Sequence, residues 1–302
     1  MGLERPSAQV TPVTRGLILG GSGFVGRELM SSLGWPGTSS TPRDGFLAVD
    51  ATRPAELVRT VRDTTPEVII NCIGLADVDR AERDPPLADR LNRLVVANLR
   101  AVQRDQPFRL VQVSTDYVFD GLRGGYRETD PPHPINEYGR SKLEGERCLS
   151  DSPTSLILRL SSPFGRGFGA RKPQFFRYLA DALRVGKPVT ALTDQRVTAT
   201  YLPDLAEAIR TLLARGACGV FHLTSEEALT RFEFALRVAD AVGADPNLVR
   251  PGLRADMTQW AAPRPADTSL DVGRSRASGV VYTPVSVALR TVLSDPTPTV
   301  RN

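Results

Sequence analysis

Cysteine and histidine are scarce in this chain of 302 residues. Its three cysteines, Cys72, Cys148 and Cys218, lie far apart and form no CxxC pair, so we expect free thiols in a reducing compartment. Its two histidines, His133 and His222, are too few for zinc chemistry or a histidine-based triad. We therefore predict no metal site, and any acid–base chemistry must come from other side chains.

Long apolar runs and clusters of one charge are also missing. No apolar stretch reaches membrane-spanning length, and residues 1–14 lack the apolar core of a signal peptide, so we expect a loose extension there and a cytoplasmic protein. The net charge of +4 is spread along the chain. This argues against a nucleic-acid or membrane partner and leaves a weak preference for an anionic small-molecule substrate.

A glycine-rich turn follows the first apolar strand, residues 16–19. Its GxxGxxG pattern suits a dinucleotide, because the glycines permit a tight turn, close approach of a pyrophosphate and contact between helix and strand. The strand–turn–helix context favours this interpretation over a turn that serves packing alone. The predicted cofactor contacts here are Gly20, Ser22, Gly23, Phe24, Val25 and Gly26.

The end of the second predicted strand carries hydroxyl side chains and an arginine where NAD sites usually have a carboxylate. Ser39, Ser40 and Arg43 lie in this stretch, and the nearby Asp44 belongs to a Pro-Arg-Asp-Gly turn. Small hydroxyls and an arginine suit a 2′-phosphate, so we predict NADPH as cofactor, with NADH as the weaker choice. The alternative is a solvated surface loop.

Strands and helices alternate through the first half of the chain. We predict further strands at 46–50, 67–73 and 108–113, and helices at 53–63 and 86–104. This alternation is typical of an α/β fold with a Rossmann-type doubly wound parallel sheet. Ligands bind such sheets at the carboxyl ends of the strands, and the predicted cofactor contacts at these ends are Asp50, Ala51, Cys72, Ile73 and Gly74.

The regular alternation ends after a sixth strand at 155–160. We expect an NADP-binding domain at 15–160, with some later segments returning to it, and a smaller C-terminal α/β substrate lobe at 161–295, with the substrate cleft between them. A loose tail is expected at 296–302. The lobe is predicted to contain a flexible loop at 165–169, helices at 173–185, 203–214 and 231–242, extended pieces within 189–201, and a strand at 219–223.

Three side chains form a candidate proton-transfer group. Tyr138 and Lys142 are four residues apart and face the same side of a predicted helix. A nearby ammonium is expected to lower the phenol pKa, and Thr115 at a strand end supplies a second hydrogen-bond donor to a carbonyl oxygen. Ser114 is the other candidate for this hydroxyl role. Alternatively, Tyr138 and Lys142 are ordinary surface neighbours.

Asp116 and Tyr117 directly follow the Ser-Thr strand end. They are placed to contact a substrate hydroxyl, or else they form a capped structural loop. Lys142, in turn, is within reach of the nicotinamide ribose. We therefore predict that Tyr138 and Lys142 contact the cofactor as well as the reacting group.

Several motifs together resemble the extended short-chain dehydrogenase/reductases, and within them the dTDP-4-dehydrorhamnose reductase branch. The resemblance runs from about residue 15 to residue 295. It rests on GGSGFVG at 20–26, STDYVFDG at 114–121, NEYGRSKLEGE at 136–146, VDRAE at 78–82 and RPADTSLD at 264–271.

This resemblance implies NAD(P)H-dependent reduction of a 4-keto sugar carried on a nucleoside diphosphate. By matching position, Thr115, Tyr138 and Lys142 would be the catalytic set. Ser162 and Arg264 would join Ser114, Asp116 and Tyr117 as substrate contacts, and a homodimer is a further expectation.

The chain departs from the family pattern at several places. Ser162 stands where the family usually has a tryptophan that stacks on thymine, and 71–76 lacks the usual Tyr-Thr pair. The stretch after Asp194-Gln195 is also unusual, and the C-terminus lacks the glutamate that helps hold a metal between subunits in some members. These changes leave the hydride chemistry unaffected and leave the sugar and the nucleoside open.

Three other functions compete with this one. The fold also resembles the NADP-binding regulatory subunit of methionine adenosyltransferase, which acts as a partner. A reductase of a different ketone in a specialised pathway is the second alternative. A sugar-nucleotide epimerase or 4,6-dehydratase is the third; a dehydratase would carry Asp-Glu after the strand-end threonine, and this chain has Asp116-Tyr117.

Overall fold

The computed structural model describes residues 15–166 and 175–294. The predicted extension at 1–14 and tail at 296–302 lie outside the described residues, as do 167–169 of the predicted loop and 173–174 of the predicted helix.

Eleven strands occur in the described part of the chain. In chain order they are β1 (Gly16–Leu19), β2 (Thr38–Ser39), β3 (Leu47–Ala48), β4 (Val68–Asn71), β5 (Arg109–Thr115), β6 (Leu156–Leu160), β7 (Val189–Leu192), β8 (Arg196–Thr198), β9 (Gly219–His222), β10 (Ala228–Thr230) and β11 (Val249–Gly252).

The α-helices of the same residues cover both faces of the sheet and build the second half. They are α1 (Phe24–Leu33), α2 (Pro54–Thr64), α3 (Val78–Arg83), α4 (Pro85–Asp89), α5 (Val95–Asp105), α6 (Glu137–Arg147), α7 (Phe175–Arg184), α8 (Leu202–Ala214), α9 (Arg231–Val242), α10 (Gly273–Ala277) and α11 (Val285–Ser294).

The central sheet confirms the predicted Rossmann-type fold. Its strand order is β1-β4-β5-β6-β9, and every neighbouring pair is parallel. A parallel bridge between Ile18 and Gly37 joins the β2–β3 pair to the outer side of β1. The chain therefore starts in the middle of the sheet and winds outward in both directions, so the strand order reverses beside β1, where such sheets bind ligands.

Alternating residues of the strands pack into two apolar layers. Ile18 and Ile70 pack against the face covered by α1 and α8, whereas Leu17 and Ile69 pack against the face covered by α2 and α5. All four side chains are fully buried. Burial on both faces explains why these strands read as continuous apolar runs.

The second half of the chain contributes to two bodies. Helix α8 packs against α1, and β9 pairs with β6, so this segment extends the central sheet. A separate apolar cluster joins α7, α9 and α11 beside the β7–β11 and β8–β10 pairs. It forms the smaller body that faces the carboxyl end of the sheet.

The structure refines two of the predicted elements and adds one helix. The helix predicted at 86–104 consists of α4, a π-helical turn at Arg90–Leu94 and α5. Strand β5 extends through Thr115. Helix α3 was not predicted; the Asp77 side chain caps it by accepting the backbone N–H of Arg80. In 15–166 and 175–294, no helix is both long and apolar enough to cross a membrane.

Candidate active site

The glycine turn after β1 is shaped by close contacts that a side chain would block. Gly20 has φ +72°, in the left-handed region, and a Cβ on Gly26 would lie 2.3 Å from the Gly20 carbonyl oxygen. Gly23 begins α1 without a side-chain cap, so the first N–H groups of the helix face outward. This is the arrangement that binds phosphate.

The loop after β2 lies beside this turn. Ser39 is buried at the strand end, while Ser40 and Arg43 are exposed. The preceding Thr38 was not predicted, yet its hydroxyl accepts the backbone N–H of Gly20 at 3.2 Å and so fixes the turn. These contacts bring the start of the loop next to the turn, and the binding roles of Ser39, Ser40 and Arg43 stay predictions.

The other predicted cofactor contacts occupy the carboxyl ends of β3 and β4. The Asp50 carboxylate accepts the hydroxyl and the backbone N–H of Thr52, and these bonds lower its pKa. Ala51 is buried beside it. The segment Cys72–Gly74 lines a cleft and borders the amine of Lys142, since a Cβ on Gly74 would lie 3.7 Å from Nζ.

This cleft has a volume of about 280 Å³ and brings the three predicted catalytic residues together. Thr115 comes from the end of β5, and Tyr138 and Lys142 come from the first turns of α6. The Asn136 side chain caps α6 by accepting the Gly139 N–H at 2.9 Å, so the helix begins beside the strand end.

The pKa of the Tyr138 phenol is raised rather than lowered. Burial is the main cause, and the negative charge of Asp116 acts in the same direction, while the Thr115 hydroxyl opposes both. The expected lowering by Lys142 was wrong for the protein alone, because the ammonium points elsewhere: Nζ donates to the Val113 carbonyl at 2.6 Å. The phenol therefore holds its proton at neutral pH.

Lys142 is buried, and burial lowers its pKa to about 8, while the negative charge of Glu146 favours the ammonium. Lys142 thus titrates much closer to neutral pH than an exposed lysine. The Cys72 thiol beside it has its pKa raised to about 12 by burial, so it is an inert wall of the cleft.

The Ser114 hydroxyl is used inside the protein. It donates to Glu146 Oε1 at 2.5 Å, and Glu146 also forms a two-point ion pair with Arg159 at 2.7 and 3.0 Å. All three side chains are buried. Ser114 lines the cleft, but its hydroxyl fixes β5 to α6, which leaves Thr115 as the hydroxyl that faces Tyr138.

Asp116 and Tyr117 also line the cleft. The Asp116 carboxylate accepts the hydroxyls of Ser161 at 2.7 Å and Thr268 at 2.5 Å, and burial raises its pKa. The Tyr117 ring packs edge-on against Tyr138, with 5.8 Å between ring centroids. Asp116 therefore joins the lobe to the sheet, and a direct substrate contact by either residue stays a prediction.

The last two predicted substrate residues differ in position. Ser162 lines the cleft with φ +40°, a strained conformation for a residue other than glycine. Arg264 does not line it: its guanidinium pairs with Asp79 at 3.0 Å and lies 4.9 Å from the ring centroid of Trp260.

Sequence reasoning missed two polar residues of the cleft, Asn92 and Arg231. Asn92 sits in the π-helical turn, where its Oδ1 accepts the Leu75 N–H at 2.8 Å and its Nδ2 donates to Ser141. π-helical turns often occur at functional sites, but the sequence gives no sign of this one. Arg231 is the first residue of α9 and lies far from the catalytic set in the sequence.

Within the two described ranges, no group of three or more histidine, cysteine or acidic side chains is arranged to hold a metal.

A glycine turn before an uncapped helix and a Thr/Tyr/Lys cleft on the same parallel sheet define a short-chain dehydrogenase/reductase. Within that class, the chain belongs to the RmlD substrate binding domain family, whose model matches residues 14–297.

The relatives of this chain include reductases and a methionine adenosyltransferase subunit. The chain is 37% identical to a probable low-salt glycan biosynthesis reductase of Haloferax volcanii, over 74% of this chain and 75% of that protein. It is 35% identical to the dTDP-4-dehydrorhamnose reductase of Mycobacterium tuberculosis, over 84% and 82%. It is 30% identical to methionine adenosyltransferase 2 subunit beta of Xenopus laevis, over 93% and 88%.

Among solved structures, the fold resembles the dTDP-4-dehydrorhamnose reductase of Bacillus anthracis in complex with NADP. The TM-score is 0.84 at 26% identity, and the match covers 93% of this chain and 99% of that one.

Proposed function

We propose that this protein is an NADPH-dependent reductase of the 4-keto group of a nucleoside-diphosphate 4-keto-6-deoxysugar, with dTDP as the first choice of carrier. The observation that carries the proposal is the convergence of Thr115, Tyr138 and Lys142 in one cleft beside the glycine turn. The relatives that reduce dTDP-4-keto sugars and the NADP-bound neighbour support the choice of substrate and cofactor.

The residues present fit a dinucleotide. A Cβ at Gly26 would collide with the Gly20 carbonyl oxygen, and α1 offers uncapped N–H groups with no acidic residue in its first turn. Arg43 and the serines after β2 would hold a 2′-phosphate. Gly74 leaves room beside Lys142 for the nicotinamide ribose. When bound, the nicotinamide supplies the hydride that reduces C4 of the sugar.

The side chains of the cleft would then protonate the keto oxygen of the sugar and hydrogen-bond to it. Negative charge develops on O4 as C4 is reduced, and the Tyr138 hydroxyl donates its proton to that oxygen. A phenol with a raised pKa is fully protonated at neutral pH, as a general acid must be. The Thr115 hydroxyl can turn from Asp116, to which it donates at 3.1 Å, toward the same oxygen. In the protein alone the Lys142 ammonium donates to the Val113 carbonyl, so its part in the reaction would be to hold the nicotinamide ribose of the bound cofactor.

The test is NADPH oxidation with a panel of dTDP-, UDP- and GDP-linked 4-keto sugars. We expect turnover of at least one, with dTDP carriers preferred. Tyr138→Phe should slow it about 100- to 10,000-fold, while Tyr178→Phe, the same change on an exposed residue of α7, should not. Tight NADPH binding without turnover of any sugar would contradict the proposal.

That negative outcome would favour a second candidate, a cofactor-binding regulatory subunit. The similarity to methionine adenosyltransferase 2 subunit beta extends over 93% of the chain and supports it. A regulatory subunit would bind NADPH and alter a partner enzyme, and Tyr138→Phe would leave that effect intact.

We further propose that one body binds the cofactor and the other binds the substrate. Residues 15–160, together with the returning segment α8–β9, hold the cofactor, and the rest of 161–295 supplies the substrate site. A homodimer is also part of the proposal and is tested by light scattering. Because NADPH and sugar nucleotides are cytoplasmic metabolites, the proposal places the reaction in the cytoplasm.

A further inference from the structure

A second pocket adjoins the catalytic cleft. Its volume is about 170 Å³, and it shares Ser162, Pro163 and Arg231 with the cleft. Its other described walls are apolar and largely aromatic: Phe164, Phe175, Phe176, Val197, Ala199 and Phe234. The two cavities thus differ in chemistry, since only the first contains acid–base groups.

Arg231 stands on the boundary between them. Its Nε donates to Gln195 Oε1 at 3.3 Å, and its guanidinium lies 5.2 Å from the ring centroid of Phe175. Within 15–166 and 175–294, no carboxylate lies within ion-pair distance of it, and its two Nη groups make no hydrogen bond. It is a half-buried cation that forms no ion pair with the described residues.

The positive charge of Arg231 acts on ionisable groups of the catalytic cleft. It favours the ionised forms of Asp116 and of the Tyr117 phenol, so it lies near the groups that border Tyr138. Arg264, the arginine assigned by family resemblance, is instead already paired with Asp79. Of these two arginines, Arg231 is the one with donors left for a ligand.

We propose that Arg231 binds the diphosphate of the sugar nucleotide and thereby sets its register: the keto sugar lies in the cleft beside Tyr138, and the nucleoside base lies in the aromatic pocket. This inference rests on the proposed function. A diphosphate is the link between sugar and nucleoside, so it must cross the wall where Arg231 stands. A guanidinium binds phosphate oxygens through two parallel N–H donors.

The aromatic pocket also offers a replacement for the tryptophan that the family usually has at position 162. Ser162 cannot stack on a base, and it shares the wall of this pocket with Phe175 and Phe164. Their rings would give the base an apolar surface in place of the missing tryptophan. Arg231 and Phe175 would then be the specificity-determining residues of this chain.

The first test measures dTDP binding by calorimetry to the full chain, and NADPH binding in parallel. Arg231→Gln should weaken dTDP about 10- to 100-fold, the loss typical of a hydrogen bond to a charged group, and leave NADPH affinity unchanged. The matched control is Arg237→Gln, on the exposed side of the same helix, where the arginine pairs with Glu227 at 3.5 Å. Wild-type dTDP affinity in Arg231→Gln would overturn the inference.

The second test compares dTDP with inorganic pyrophosphate, which lacks the base. The wild-type protein should prefer dTDP, and Phe175→Ala should reduce that preference about 3- to 10-fold. Phe175 is partly exposed at the start of α7, so its truncation leaves the core intact; Tyr178→Ala on the same helix is the control. An unchanged preference would overturn the placement of the base.

The two proposals fail in different ways. If Arg231→Gln weakens dTDP but no 4-keto sugar is turned over, the binding inference stands and the reductase assignment fails. If the wild-type protein turns over a 4-keto sugar and Arg231→Gln leaves its KM unchanged, the reductase stands and the inference fails. Absence of dTDP binding by the wild-type protein contradicts the inference directly.

Discussion

At the scale of single residues, the site depends on how each ionisable group is placed rather than on its identity. Tyr138 and Lys142 are four residues apart, as the sequence predicts, yet burial moves both pKa values toward the neutral form of the side chain. The spacing predicted the pair, whereas its pKa values depend on β5 and Cys72 packing around it. Such desolvation cannot be calculated from spacing.

The titration of Lys142 predicts a basic limb in the pH profile. Its pKa of about 8 means that the ammonium is present below this pH and lost above it. We expect kcat/KM to fall about tenfold per pH unit above the pKa, as for loss of one proton. Lys187→Met, which removes an exposed lysine, should show the same fall in kcat/KM above pH 8. Lys142→Met should have a low kcat/KM that does not change with pH in this range.

A second prediction at this scale concerns the cofactor. Arg43→Ala should weaken NADPH about 10- to 100-fold, because a charge-assisted hydrogen bond to the 2′-phosphate is lost, and should leave NADH nearly unaffected. Arg62→Ala, an equally exposed change on α2, serves as control. Dissociation constants from fluorescence titration provide the comparison, and equal weakening of both cofactors would show that Arg43 does not contact the 2′-phosphate.

At the scale of elements, buried polar side chains hold the site together. Glu146 joins α6 to β5 through Ser114 and to β6 through Arg159. The strand order and the helix positions follow from apolar periodicity and could be predicted. The ion pair could not, because Glu146 and Arg159 look like surface residues until the register of β5 and β6 brings them together.

This network predicts a large stability effect. Glu146→Gln should lower the free energy of unfolding by about 3–5 kcal/mol, because the Arg159 charge is left buried without its partner. Glu144→Gln breaks an exposed pair with Arg147 on the same helix and should cost about 0.5 kcal/mol or less. Urea unfolding of the three proteins compares these values, and similar midpoints for all three would refute a structural role for the pair.

At the scale of the whole molecule, the two bodies are joined by side chains that the sequence gives no reason to connect. Asp116 at the sheet accepts the Thr268 hydroxyl, and Asp79 on α3 accepts the backbone N–H groups of Ala261 and Ala262. The alternation of strands and helices predicts the sheet body well. It says little about the lobe, where short strands and loops carry the aromatic pocket.

His222 makes the stability of this assembly depend on pH. It is fully buried at the end of β9, and burial with the charge of Arg159 lowers its pKa to about 4, below the unfolded value near 6.5. The unfolded chain therefore binds a proton first, and stability is lost as pH falls from about 6.5 to about 4. We expect a loss of about 2 kcal/mol between pH 7 and pH 5 from this residue.

Urea unfolding at these two pH values measures the effect. His222→Gln should reduce the pH dependence by that amount, whereas His133→Gln, an exposed change, should not alter it. The raised pKa of Asp116 makes an opposite contribution to the pH dependence of stability. This contribution is the same in the wild-type protein and both variants, so it cancels in the comparison. An equal pH dependence in His222→Gln and wild type would exclude His222 as the source.

In the proposed reaction, Tyr138 protonates the sugar oxygen as C4 is reduced. Its most direct test is single-turnover NADPH oxidation by wild-type protein and Tyr138→Phe with a dTDP-linked 4-keto-6-deoxysugar. We expect the rate to fall about 100- to 10,000-fold, the range for loss of a general acid, with NADPH affinity retained. A Tyr138→Phe protein that oxidises NADPH at the wild-type rate would contradict it.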